Sequence, residues 1–376
     1  MLGSFYFLAK YFLLFFLAFF FAILLTFNQS GYAAERGRVV IHNGTVMSDR
    51  GALLRGVTME LDAPGAWASN FAIDPNHWKQ VHDLKLNVVR FDVKLKDASG
   101  GAQTISNQLP YIDQAVNLAA QNGVYISLMS TVNQSGTYDL QELQSFWAVV
   151  ADRYKDRTHV LYELTNEPVA WYPHDYSSQN ISDLKSVYHL MRSFAPNTHI
   201  VLWDFANLDD AQSTISKITQ MSGVTYSNES VGFHYYYASP DAIATIKNNY
   251  PVFMTEVSPG PPTTDDINHL EIMEQQKISW ISLEGKGDFN RLQTVLSQMH
   301  SSGYNWSNEE LGATLPVTTT PVVSSIPLFI DAGGVANFVG EDGSSWIADQ
   351  YFDGGSTVRA SASQNLLTNP GLSDLS

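Results

Sequence analysis

The sequence predicts an α/β chain folded as a (β/α)8 TIM barrel, with a β-hairpin ahead of the barrel and a linker and partial β-rich module after it. Three observations predict this. Between residues 34 and 304, short apolar runs alternate with amphipathic stretches eight times, over the ~250 residues that such a barrel takes. Two of the runs share one design: Val160 to Thr165 leads into Asn166-Glu167-Pro168, and Pro251 to Thr255 leads into Glu256-Val257. At the start, Arg38 to Met47 places Asn43-Gly44 between two apolar runs, the strongest short signal for a hairpin. The rival architecture is an open doubly wound sheet. It would announce a ligand site by a Gly-rich phosphate turn, and the sequence contains none.

Taken in order, Ala52 to Val57 is the first barrel strand. Asp74-Pro75 opens a helix to Lys85, with aspartate as N-cap and proline at the first helical position. Leu86 to Val93 is the second strand, Leu109 to Asn122 a helix stopped by Gly123, and Val124 to Met129 the third strand. Leu140 to Tyr154 is strongly amphipathic and leads into the strand Val160 to Thr165, which Pro168 ends because proline donates no ladder bond. The alternation continues with a helix over Asp183 to Phe194, a strand over His199 to Trp203 and a helix over Asp209 to Met221. Next come a strand over Val231 to Tyr236, a helix over Pro240 to Asn248 and the strand that ends in Glu256. A helix over Asp265 to Gln276, a strand over Ile278 to Leu283 and a helix over Phe289 to Ser301 complete it.

The ends of the chain differ from this middle. Residues 1–33 carry one charge, Lys10, and Tyr11 to Phe27 is almost wholly apolar before the small residues around Gly31-Tyr32-Ala33. That pattern reads as a cleaved secretory signal peptide, and an uncleaved membrane anchor is the alternative. Either delivers the chain outside the cytoplasm, as a secreted, periplasmic or cell-surface protein. Residues 305–327 are rich in Thr, Ser, Val and Pro and read as an extended linker. Residues 328–376 carry Asp331-Ala332-Gly333-Gly334, Trp346 and Asp353-Gly354-Gly355. They resemble the opening of a malectin-type carbohydrate-binding module, truncated; a low-complexity tail is the other reading.

Composition narrows the function. Of 376 residues, 44% are hydrophobic, enough for one large core. Losing residues 1–33 removes one lysine and no acid, so the net charge goes from −16 to −17. Such an acidic chain without a basic stripe does not suit nucleic acid. There are no cysteines, so export brings no disulfide framework and no thiolate metal site.

A carboxylate at the mouth of a buried strand is costly unless it is hydrogen-bonded or working. Two glutamates, each at the C-terminal end of a strand, are the pair that glycosidic cleavage uses. On Asn166-Glu167-Pro168, Glu256 and their flanks, the chain resembles glycoside hydrolase family 5, the cellulase family, within a clan of retaining barrel hydrolases. Two unrelated salt-bridging glutamates are the plain alternative. The family carries an arginine, an Asn-Glu pair, a His-x-Tyr, a glutamate and a tryptophan on the second, fourth, sixth, seventh and eighth strands, matched here by Arg90, Asn166-Glu167, His234 and Tyr236, Glu256 and Trp280. The resemblance runs from residue 38 to 304.

It implies that Glu167 is the acid and later the base, helped to hold its proton by the nearby negative Glu256. Glu256 is implied to be the nucleophile, kept ionised by Arg90 and by a hydrogen bond from Tyr236. Asn166 would bond the sugar 2-hydroxyl, His234 would orient Glu167 or touch substrate, and Trp280 would offer a flat face to a sugar ring. Plainer readings remain for Arg90 as an interior ion pair, His234 as a core histidine and Trp280 as barrel packing. Trp171, Trp203 and Asp204 also lie just past strand ends, where rim packing is at least as good an account as a subsite. Glu163, four before Glu167, reads as structural and interior. The family usually carries a histidine near the end of the third strand; Leu128 to Asn133 has none, which puts substrate identity in doubt.

The expectation is therefore a secreted retaining hydrolase of β-linked polysaccharides or oligosaccharides, endo-β-glucanase first, with no metal or organic cofactor and no stable protein partner implied. A non-catalytic sugar-binding barrel and a transglycosylase using the same intermediate are the alternatives.

Overall fold

The computed structural model describes residues 36–62, 67–96, 104–131, 136–169, 176–206, 208, 210–236, 239–257, 264–283 and 289–306, with short strands at 329–331, 338–339 and 345–348. The expected signal peptide, Trp171, nearly all of the linker and most of the malectin-like segment lie outside the described residues.

The hairpin forms where Asn-Gly predicts it. β1 (Val40–His42) and β2 (Thr45–Met47) pair antiparallel around Asn43 and Gly44, both at positive φ. The eight barrel strands follow: β3 (Arg55–Leu61), β4 (Val88–Lys94), β5 (Tyr125–Thr131), β6 (Val160–Glu163), β7 (Ile200–Phe205), β8 (Glu229–His234), β9 (Val252–Glu256) and β10 (Ser279–Ser282). Each pairs parallel with the next, and β10 closes on β3 with Trp280 opposite Arg55.

The helices among the described residues are α1 (Trp67–Ala72), α2 (Pro75–Asp83), α3 (Ile105–Gln121), α4 (Leu140–Tyr154), α5 (Ser178–Phe194), α6 (Ala211–Gln220), α7 (Pro240–Lys247), α8 (Thr264–Gln276) and α9 (Asn290–Ser301). Caps set their starts. Asp74, Asp139, Asp210 and Ser239 accept backbone N–H groups of α2, α4, α6 and α7, and Ser177 makes a capping box with Asn180 at α5. Two helices begin earlier than the sequence suggests. α3 starts a turn ahead of its proline, which leaves Pro110 inside the helix at the cost of one bond. α5 starts at the Ser177 cap, five residues before the first expected position, because Asn serves at N3 where Glu is the usual sign.

Val46, Leu54, Val88, Tyr125, Leu161, Val201, Phe253 and Ile281 form an apolar layer of their own, one residue from β2 and one from nearly every barrel strand. β2 pairs with β9 through Thr45 and Val252, so the hairpin plugs that end of the barrel. The larger core lies between sheet and helices. There α4 buries Leu143, Phe146, Trp147, Val150, Ala151 and Tyr154. Trp306 belongs to this core: it is buried, two residues past the expected end of the barrel.

A second compact unit spans residues 318–376. Within it β11 (Phe329–Asp331), β13 (Ser345–Ala348) and β12 (Phe338–Val339) make a three-stranded sheet in that order, mixed parallel and antiparallel.

Candidate active site

The polar residues of the barrel converge above the apolar plug. Arg90 is the hub. It stands in the middle of β4, opposite Thr58 and Ser127. Its side chain is 1% exposed. Nε lies 2.9 and 3.0 Å from the two oxygens of Glu163, and Nη1 donates to Glu256 Oε2 at 2.7 Å. Nη2 reaches Glu163 Oε1 at 2.5 Å and Asn166 Oδ1 at 2.8 Å, with Asp204 Oδ2 at 3.5 Å. A planar fork with five donors is the side chain that can bind this many acceptors from one place. Glu163, read from the sequence as interior, is wholly buried and is its closest ion-pair partner. Burial pushes its carboxyl up to about 7 against the opposing charge of Arg90.

Glu167 and Glu256 sit at two strand ends. Glu256 is the last residue of β9, placed beside His234 by a register shift between β8 and β9. Tyr236 donates to its Oε1 at 2.6 Å, so each oxygen of Glu256 has one donor, phenol on one and guanidinium on the other. Glu167 follows β6. The chain leaves the sheet after Glu163, with Leu164 N bonded to Val201 O and Leu164 O capped by Trp147 Nε1 at 2.8 Å. Pro168 then has no N–H to pair. Glu167 has φ 36°, an uncommon backbone for a residue with a side chain, and its own N–H and C=O are both anchored: N–H to Asp204 Oδ2 at 2.8 Å, C=O to Gly136 N at 2.7 Å.

His234 joins the two. It is wholly buried, with Nδ1 2.5 Å from Glu167 Oε1 and 3.7 Å from Glu256 Oε1, and Nε2 3.0 Å from Asp204 Oδ1. Burial alone would lower the imidazole pKa. The charges of Asp204 and Glu256 and the bonds to Asp204 and Glu167 override it and raise it well above the usual value. Donor atoms of Glu167, His234 and Glu256 lie within 4.8 Å of one another. Since both ring nitrogens of His234 face carboxylates, the cluster is arranged to hold protons.

Sequence reasoning underrated one residue and misplaced another. Asp204, weighed only as a possible rim residue, is wholly buried at the centre. It is brought in by a bulge: the β7–β8 register shifts between Leu202 and Asp204, and Trp203 sits at φ 58°. Trp203 itself turns into the core, stacked on Phe205 at 5.4 Å. An aspartate inside an otherwise apolar strand, Ile200-Val201-Leu202-Trp203-Asp204-Phe205, was the available signal.

Trp280 is the correction. It is 0% exposed, donates from Nε1 to Glu274 of α8 at 2.8 Å and meets Trp306 edge to face at 6.2 Å. Its neighbour Ile281 is the residue that joins the inner plug. Side chains alternate along a strand, so Trp280 faces the helices and offers no surface to a sugar. Near the end of β5, where the family histidine is missing, Thr131 Oγ1 donates to Asp92 Oδ1 at 2.6 Å, and Asp92 pairs with Lys94.

Comparison with known proteins agrees with this fold. The family described as Cellulase (glycosyl hydrolase family 5) matches residues 47–287. Endoglucanase E-5 of Thermobifida fusca is 24% identical over 269 residues, covering 66% of this chain and 56% of that protein. Endoglucanase MaCel5A of a Microbulbifer species is 25% identical over 170 residues, 40% of this chain and 32% of the relative. The chain thus spans about half of one relative's length and a third of the other's. Among solved structures, the catalytic domain of Thermobifida fusca endoglucanase Cel5A superposes with a TM-score of 0.52 at 21% identity, over 74% of this chain and 95% of that one. The β-glucanase SdGluc5_26A of Saccharophagus degradans gives 0.56 at 16%, over 72% and 95%.

Proposed function

The chain belongs to the cellulase family, glycosyl hydrolase family 5, and from that premise we propose that it is a secreted hydrolase cleaving β-glycosidic bonds in a polysaccharide or oligosaccharide, with β-glucan as first substrate and retention of configuration. The observation that carries the reading is the pair of carboxylates at two strand ends with oxygens within 4.8 Å, one on an imidazole, the other between a guanidinium and a phenol. Inverting enzymes separate the pair by ~6.5–9.5 Å to admit a water, and retaining ones hold it at ~5–5.5 Å.

In the first step Glu256 attacks the anomeric carbon. A carboxylate–carbon bond forms as the glycosidic carbon–oxygen bond breaks, and Glu167 passes its proton to the departing oxygen. In the second step water attacks the same carbon, the ester to Glu256 breaks, and Glu167 takes the water's proton. Arg90 and Tyr236 each donate to one oxygen of the attacking carboxylate and so fix its position. Asn166 accepts from Arg90 through its carbonyl, so its amide N–H₂ is the end that would donate to a sugar 2-hydroxyl.

Labelling tests the assignment. A 2-fluoro glycosyl inhibitor should attach to Glu256, and Glu256→Gln should lose nearly all hydrolysis of β-glucans. A label on any other carboxylate, or an active Glu256→Gln, would end it.

A further inference from the structure

Glu167 has to hold a proton before it can hand it to a leaving group. Three features converge on Asp204. One oxygen accepts the backbone N–H of Glu167 at 2.8 Å. The other lies 3.0 Å from His234 Nε2 and accepts Thr255 Oγ1 at 2.8 Å. Asp204 also has to be delivered by a bulge with Trp203 at positive φ, a strained conformation that persists only where the surroundings enforce it.

Resting on the proposed hydrolase reading, we propose that Asp204 is the positioning residue of proton delivery: through His234 it keeps the shared proton on the His234–Glu167 pair, and through the Glu167 N–H it fixes the carboxyl that hands that proton on. Asp204 touches no reacting atom. Its carboxylate holds the Nε2 side of the ring, so Nδ1 is left to share a proton with Glu167 Oε1 across 2.5 Å. Whether that proton rests on nitrogen or oxygen, a negative charge 3.0 Å behind the ring raises the proton affinity of the pair. The other titratable and charged groups near the ring are Glu256 at 3.7 Å, the Arg90–Glu163 pair, and the neutral phenol of Tyr236, whose ring centre is 6.1 Å away. Arg90 is committed to Glu163 and Glu256 at 2.5 to 2.7 Å and stands 3.5 Å from Asp204, so Asp204 keeps its charge for His234. Its own carboxyl is held below the usual range, burial notwithstanding, by His234, Arg90 and the Glu167 N–H.

Asp204→Asn keeps the shape and removes the charge, and it presents a neutral amide to a ring nitrogen that formerly lay 3.0 Å from a carboxylate. Substrates whose leaving group needs a proton should then lose kcat by about 100-fold, the scale of one general-acid contribution. KM should stay within about twofold, and formation of the glycosyl-enzyme from a dinitrophenyl glycoside should be nearly unaffected. The basic limb of kcat/KM should move to lower pH by about one unit. Thr255→Val, which loosens Asp204 without discharging it, should act in the same direction by about fivefold, and it decides the matter if Asp204→Asn fails to fold. Equal losses on both substrate types with an unmoved pH profile would make Asp204 merely structural and overturn the proposal, as would full activity in both variants. Failure of the hydrolase reading looks different: wild-type protein would cleave neither substrate, or Glu167→Ala would cleave both as wild type does.

Discussion

Trp306→Ala tests how the barrel closes. Trp306 is 6% exposed. Its Nε1 donates to Lys85 O at 2.9 Å, Arg55 lies 4.6 Å from its ring centre, and Trp280 and His300 meet it edge to face. Truncating a buried tryptophan costs ~3–5 kcal/mol through lost transfer and the space left behind. The hydrogen bond and the cation–π contact add ~0.5–1 kcal/mol each at most. Arg55 keeps its two bonds to Glu274, and Lys85 O stands where water can reach it, so ~4 kcal/mol is the working figure. For a unit of this size each kcal/mol moves Tm by ~2–4 °C, so the variant should melt ~8–16 °C lower. The measurement is a thermal scan of the full chain followed by near-ultraviolet circular dichroism. Two shortened chains sharpen it: one ending at Tyr304 should melt well below one ending at Trp306, since only Asn305 and Trp306 separate them. Equal melting within about 2 °C in either comparison would refute the claim that Trp306 seals the barrel.

Three further outcomes follow from the same structure. Asp49 is held below its usual pKa: burial acts against this, but Gly37 N–H, the Tyr125 hydroxyl and Arg36 outweigh it. A lowered folded-state pKa adds stability above the unfolded value and loses it as pH falls through the folded one, so the deficit of Asp49→Asn in urea melts should be full at neutral pH and shrink below about 3.9. Gly232→Ala would bring its new carbon 2.5 Å from Trp203 O and 2.7 Å from Val201 Cγ1, so it should destabilise by ~1–3 kcal/mol and, by displacing the bulge that carries Asp204, cut hydrolysis even at temperatures where circular dichroism shows it folded. Proton NMR of the first product released from a β-glucan should show the β anomer; an initial α anomer would overturn the retaining mechanism.

Much of this was legible because local signals and tertiary demands agree. Asn43-Gly44 needs positive φ at both positions and takes it. Leu140–Tyr154 is helical from first to last expected residue, since Asp139 caps it and its apolar spacing has one face to bury. Glu167 and Glu256 stood out because carboxylates do not follow buried strands without cause. What stayed hidden depends on register. Trp280 faces out because the two-residue alternation puts Ile281 inward, and that parity is set by pairing with β3 and β9, which no local pattern encodes. Asp204 enters the barrel because one residue is bulged, which shifts parity within a single strand. Trp306 lay where composition was already turning toward a linker.

The Arg90 cluster has a consequence for how the protein meets its medium. Four carboxylates, one guanidinium and one imidazole are packed together with side chains 0–12% exposed, while the chain as a whole carries −16. At 0.1–0.15 M ionic strength, charges on the outside no longer feel one another beyond ~8–10 Å, yet buried ones are screened far less. Brine and fresh water therefore present two different exteriors around one unchanging interior. Solubility and encounter with the proposed glycan substrate answer to dissolved salt; the buried charge cluster answers far less.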